Sequence, residues 1–253
     1  MSHNLKVVSY NIHMGQEPQA VVKNIQKFAS EGVKLFCLQE VRQEWKKVSI
    51  VELLLKTLGE DWQAEYFLSN KPNSFDYGLC MIWHSSELEP VSFQPIALPA
   101  LEELKTWEKV FELYKRKDSG PIQRGALIGT FKMGGKVIRV STAHLDWQGG
   151  FGQRASQIKF IKDNFLSHSK VDYEIVCGDF NTLGYFSRKR QAQQIELLLG
   201  EGFKSSFTKT YSTFTPKQQL DYIYVKGFSI QGAEVCKVRG SDHFPVMATL
   251  KLL

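Results

Sequence analysis

Six short polar clusters in this chain stand at the edges of apolar runs. They are Tyr10-Asn11-Ile12-His13, Leu38-Gln39-Glu40-Val41, Ala143-His144-Leu145-Asp146, Gly178-Asp179-Phe180-Asn181, the head of Asp221-Tyr222-Ile223-Tyr224-Val225, and Ser241-Asp242-His243. Ionisable groups at the ends of core strands tend to converge on one place. Carboxylate, amide and imidazole together suit a hard metal ion and a phosphate.

Glu40 follows Cys37-Leu38-Gln39 at the end of an apolar run and is the best metal-ligand candidate, because Mg2+ and Mn2+ prefer octahedral oxygen donors. Taken alone it would be an acid facing solvent just past a strand. Asp179 and Asn181 are two apart and share one face of an extended backbone. The acid can orient or deprotonate a water, and the amide can donate to a phosphate oxygen. Gly-Asp-Phe-Asn equally suits a turn. His243 needs a partner to fix its tautomer and stabilise its cation, and Asp221, at the head of an apolar strand, is placed to supply it. His144, at the end of a long apolar run, could donate to a phosphate oxygen.

The elements that must hold these groups alternate between strand and helix patterns. Strands are expected at 6–10, 33–38, 64–68, 79–83, 91–95, 126–131, 137–143, 174–177, 221–225, 234–238 and 246–250. Helices are expected at 18–29, with Pro18 in the first turn, from the Ser49-Ile50-Val51-Glu52 capping box to Gly59, at 153–165 and at 191–199. Leu101, Leu104, Trp107 and Phe111 also recur at helical spacing, ending in Lys115-Arg116-Lys117. Met133-Gly134-Gly135-Lys136 is a hairpin turn candidate. This mixture predicts one α/β (α+β) domain over 1–253, two sheets packed face to face with helices outside.

The chain carries 32 Lys and Arg against 26 Asp and Glu, a net charge of +6. Segment 105–139 holds nine of the cations and three of the acids, enough to account for the whole excess. That balance suits an anionic partner, a phosphate ester or a nucleic acid, or else a solvated face. The four cysteines are isolated, which argues against zinc and against a disulfide framework. No apolar run could span a bilayer and no leader pattern opens the chain, so a cytoplasmic monomer is the expectation.

Taken in order, the six motifs resemble the endonuclease/exonuclease/phosphatase superfamily, which includes DNase I, exonuclease III-like enzymes and neutral sphingomyelinases. The resemblance runs from residue 7 to residue 250 and implies a DNase I-like four-layer αββα sandwich of two mixed β-sheets. It also implies Mg2+-dependent phosphoester cleavage, with Mn2+ as a substitute. Carried over, it makes Glu40 the principal metal ligand, with Asn11 and Asp242 near the metal. Asp179 would activate water, Asn181 and His144 would contact phosphate, and His243 would pair with Asp221. Arg154 and Arg124 would contact substrate or support its loops. His13 stands where apurinic endonucleases carry an acid, and His144 where they carry a Tyr-centred motif, which moves the resemblance toward the histidine-containing branches. A phosphodiesterase is the leading expectation and a nuclease using 105–139 the alternative. A binding module without turnover is disfavoured, because the metal- and water-handling positions are filled.

Overall fold

A computed structural model describes residues 4–43, 49–70, 77–106, 108–110, 123–166, 171–183, 188–209, 211–214 and 218–253. The Lys115-Arg116-Lys117 cluster, Trp107 and Phe111 lie outside the described residues.

The first sheet takes β1 (Asn4–Asn11), β2 (Leu35–Val41), β3 (Trp62–Asn70) and β4 (Tyr77–His84), with β11 (Phe228–Val235) and β12 (Val246–Leu252), in the order β11-β12-β1-β2-β4-β3. The second takes β5 (Glu89–Ala97), β6 (Gly125–Met133), β7 (Lys136–His144), β8 (Tyr173–Asp179), β9 (Lys204–Ser205) and β10 (Asp221–Lys226), in the order β5-β6-β7-β8-β10-β9. Each sheet has one parallel pair, β1 with β2 and β7 with β8. Helix α1 (Pro18–Ser30) crosses over the first pair and α3 (Gly150–Ile161) the second, because a parallel pair needs a long return. Between them in sequence lies α2 (Ile50–Leu58), and α4 (Arg188–Leu199) follows β8.

Three apolar clusters separate four layers. One, including Val7, Leu35, Val140, Ile175 and Ile223, lies between the sheets. Another joins the first sheet to α1 and α2 through Val21, Ile25, Phe28 and Leu54. The third joins the second sheet to α3 and α4 through Ile158, Ile161, Ile195 and Leu199. The αββα expectation therefore holds. Local signals explain the helix ends: the Ser49 hydroxyl accepts from Glu52 N at 3.3 Å, a cap worth about 1 kcal/mol. Gly59, with φ of 102°, ends α2. Gly134 and Gly135 both have positive φ, as a two-residue hairpin turn between Met133 and Lys136 requires. All four cysteines are free thiols.

Two expectations are corrected. The strand expected at 234–238 instead runs Phe228–Val235, and Cys236 leaves the ladder by donating its N–H to Pro245 O. Gly227, with φ of 84°, turns β10 straight into β11, and the half-exposed edge carries Ser229 and Gln231, so it lacks an apolar run. The helix expected at 153–165 starts earlier, at Gly150, and loosens into a π-helical turn over Lys162–Leu166.

Candidate active site

Strand direction brings the clusters together. The parallel pairs put the C-terminal ends of β1, β2, β7 and β8 at one edge of the sandwich. Because β10 is antiparallel to β8, its first residue, Asp221, lies beside Asp179. Because β12 is antiparallel to β1, the residues entering it lie beside the end of β1.

Along the inner faces, the apolar layer between the sheets turns polar toward that edge. Leu5 and Val7 lead to Ser9 and Asn11, Ile138 and Val140 to Thr142 and His144, and Ile175 and Cys177 to Asp179. Glu40 would point away from this layer if β2 stayed regular, since Gln39 already faces inward. A register shift between Leu38 and Val41 and a left-handed backbone at Glu40, φ 51°, break the alternation. Gly178, with φ of 137°, lets β8 press against β7, since a Cβ there would stand 1.9 Å from Ala143 O.

Asn11 Nδ2 donates to Glu40 Oε1 at 3.3 Å and to Asp179 Oδ2 at 3.0 Å, while its Oδ1 accepts from His13 N at 3.0 Å. One buried amide thus links the carboxylates of two sheets. Asp179 Oδ1 accepts from Asn181 N at 2.9 Å, and Asn181 Nδ2 donates to Leu145 O at 2.9 Å. Burial pushes the Asp179 carboxyl up to about 7 against the pull of His243, and nearby Asp221 adds to the rise.

His243 Nδ1 lies 2.9 Å from Asp221 Oδ2, and its Nε2 is 3.7 Å from Asp179 Oδ2. Its ring packs on Phe214 at 4.8 Å, and its own N–H donates to Ser241 Oγ. Burial opposes charge on this imidazole, but Asp221 and Asp179 outweigh it and push the pKa up to about 10. At neutral pH His243 is therefore a cation, with both ring nitrogens donors.

His144 is the opposite case. Burial, then Arg124 and His243, drive its pKa well below the usual imidazole range, so it is neutral. Arg124 Nη1 lies 3.3 Å from His144 Nδ1. A guanidinium only donates, so Nδ1 accepts and the ring proton sits on Nε2. That nitrogen faces Asp179 Oδ2 at 3.6 Å and Glu40 Oε1 at 3.9 Å. Arg124 and Arg154 are both buried, at 4% and 3% exposure. Arg124 also donates to Tyr77 OH at 3.0 Å and lies 3.9 Å from Asp146 Oδ1. Arg154 reaches Asp146 O at 3.3 Å and Gln191 Oε1 at 3.4 Å. Both guanidiniums stand behind the loop that starts at His144. Asp242 is exposed, with Oδ1 3.5 Å from His13 Nδ1.

Glu40, Asn11, Asp179, Asn181, Asp221, His144 and His243 thus gather at one edge, with Arg124 and Arg154 in support. Tyr77 and Gln39 also belong here, although neither was assigned a task from sequence. The Tyr77 ring lies 6.1 Å from that of His144, tilted by 31°. Asp179, Asp221 and His243 also form a buried group with ligand-type atoms within 4.8 Å of one another. His243 Nδ1 is already engaged with Asp221 Oδ2 at 2.9 Å, and Glu40 offers a second, less buried carboxylate at the same edge. The carboxylates of Glu40 and Asp179, which share the Asn11 amide, are the hard oxygen donors on that side.

The αββα sandwich thus carries a carboxylate-bound Asn and an Asp-held imidazolium at the same edge. Residues 8–243 match the Endonuclease/Exonuclease/phosphatase family, and the chain belongs to it. Membership places it among phosphoric ester hydrolases. The structure is similar to an endonuclease/exonuclease/phosphatase from Bacteroides vulgatus, with TM-score 0.75 and 16% identity over 99% of this chain and 100% of that one. It is similar to a mannosyl-6-phosphatase from Bacteroides thetaiotaomicron, with TM-score 0.71 and 17% identity over 97% and 99%. It also resembles ANGEL2, a 2',3'-cyclic phosphatase, with TM-score 0.68 and 15% identity over 99% and 96%. At these identities the likeness establishes the fold. No sequence among curated proteins matches the chain significantly. Among the described residues no helix is long and apolar enough to cross a membrane.

Proposed function

We propose that this chain is a divalent-metal-dependent phosphodiesterase that breaks a P–O bond by in-line attack of water. The observation that carries this reading is the meeting of Glu40, Asp179, His144 and His243 within 3.6–3.9 Å contacts at one strand-end edge. Glu40, with Asn11 and Asp242, would hold Mg2+ or Mn2+, which would supply positive charge to offset that of the phosphate. Asp179, poised near neutrality, accepts the proton of the attacking water. His243 is already protonated, so it donates to phosphate oxygen rather than serving as base, and Asp221 holds its ring in place. His144 Nε2–H and the second amide proton of Asn181 complete the donor set. Arg124 and Arg154 act on the phosphate through His144 and the loop behind it.

The test is hydrolysis of bis-p-nitrophenyl phosphate by protein dialysed against EDTA. Activity should vanish on dialysis and return with Mg2+ or Mn2+; turnover that survives chelation overturns the metal reading. p-Nitrophenyl phosphate, assayed beside it, covers the monoester chemistry named for the mannosyl-6-phosphatase neighbour. Plasmid DNA covers the nuclease alternative, for which log affinity should fall with log salt by about 0.9 per phosphate contact. Three cations of the basic segment are engaged or placed away from the site, which supports the small substrate. Lys132 lies 3.6 Å from Glu89, and Arg139 is buried against Glu174. Lys136 starts β7, at the opposite end of that strand from His144.

A further inference from the structure

Gln39 precedes Glu40 and is fully buried between the sheets. Its Nε2 donates to Cys37 O on its own strand at 2.9 Å and to Ser9 Oγ on β1 at 3.2 Å. The same nitrogen lies 2.9 Å from Thr142 Oγ1 on β7, in the opposite sheet, so its two protons are shared among three oxygens. Ser9 stands two residues before Asn11, and Thr142 two before His144, each on the face its partner uses. The main-chain oxygen of Gln39 accepts from Ile12 N at 3.0 Å, which fixes the exit of β1. One residue therefore touches the footing of Asn11, Glu40 and His144 together.

This carboxamide carries a cost beside its bonds. Its Oε1 has no hydrogen-bond partner among the described residues, and a buried carbonyl left unpaired costs free energy. Methionine would fill a similar volume without that cost. What the amide adds is a second directed link between the sheets, beside the Asn11–Asp179 bond, in a layer where the neighbouring contacts are apolar and not directional.

We propose that Gln39 is a positioning residue, a clamp that sets the separation of Glu40 on one sheet from His144 on the other. It rests on the phosphodiesterase reading above: with the ion at Glu40 and a phosphate donor at His144, that separation fixes where phosphorus sits. Gln39 itself does not touch the substrate.

The test uses two variants of the full chain, Gln39→Met and Thr142→Val. The second removes only the acceptor across the sheets and leaves the bonds to Ser9 and Cys37. Turnover of bis-p-nitrophenyl phosphate, Mn2+ affinity by calorimetry and the thermal midpoint are measured for each and for the double variant. A misplacement of the order of 1 Å lowers rates by up to about 100-fold, so kcat should fall at least about tenfold in both single variants. Mn2+ affinity should stay within about threefold, because Asn11 and Glu40 share a sheet, and the double variant should be no worse than Gln39→Met, since both cut one link.

Wild-type kcat in Thr142→Val would overturn the clamp, and that variant decides the matter should Gln39→Met not fold. Mn2+ affinity falling in step with kcat would also overturn it, by showing that Gln39 only supports Glu40. A wild-type protein that binds no Mn2+ and cleaves no phosphoester overturns the phosphodiesterase reading and the clamp together. An active wild type with unaffected variants overturns the clamp alone.

Discussion

His243→Ala is expected to lower kcat on a phosphodiester by about 10²- to 10³-fold, the range for loss of one hydrogen-bond donor to a developing oxyanion. The imidazolium lies 2.9 Å from Asp221 and 3.7 Å from Asp179, so the substitution removes the cation that both carboxylates face. Stability should fall as well, because stripping one partner from a buried ion pair costs roughly 3–5 kcal/mol. Activity must therefore be read well below the thermal midpoint, with circular dichroism confirming the fold. Asp221→Asn separates the two effects. It keeps the shape beside Nδ1 but removes the charge that holds His243 protonated, so its kcat should fall while its fold persists. Equal kcat for wild type and His243→Ala on a verified substrate would remove His243 from the mechanism.

Glu40→Gln is expected to act earlier, on metal binding. The substitution keeps length and hydrogen-bonding capacity and deletes one negative charge. A unit-charge pair 4 Å apart near a protein surface is worth about 4 kcal/mol, so the affinity for Mn2+ should fall by about 10²- to 10³-fold. Calorimetric titration with Mn2+ measures this without any substrate. At saturating metal, part of kcat should return, which distinguishes lost binding from lost chemistry. Unchanged Mn2+ affinity would move the ion away from Glu40, toward the Asp179 and Asp221 side.

Most of the site was legible because it sits where strands end. Polar types such as Asn11, His144 and Asp179 interrupt apolar alternation, and interruption is a local signal that needs no knowledge of partners. The His243–Asp221 pairing was legible for the same reason, since both residues border apolar strands close in sequence. What escaped depends on contacts between distant segments. Gln39 meets Thr142 across 103 positions, and nothing in either neighbourhood encodes the meeting. Arg124 was singled out as a candidate substrate contact, but its place behind His144 follows from the pairing of β6 with β7, where Gly125 faces His144. The fold was read through its apolar strands, and β11 was missed for want of an apolar run: its edge position leaves much of it half-exposed.

The left-handed turn of the chain at Glu40 has a consequence for anyone engineering this protein. A residue with a Cβ held at φ 51° carries roughly 1–2 kcal/mol of conformational strain, which asparagine tolerates far better than glutamate. Glu40→Asn should therefore melt at the same temperature as the parent or higher, while binding Mn2+ poorly. A thermal-shift screen would rank that inert variant as an improvement. Selection for robustness alone would pull this position toward inactivity, so any library built on this scaffold needs a turnover readout beside the melting curve.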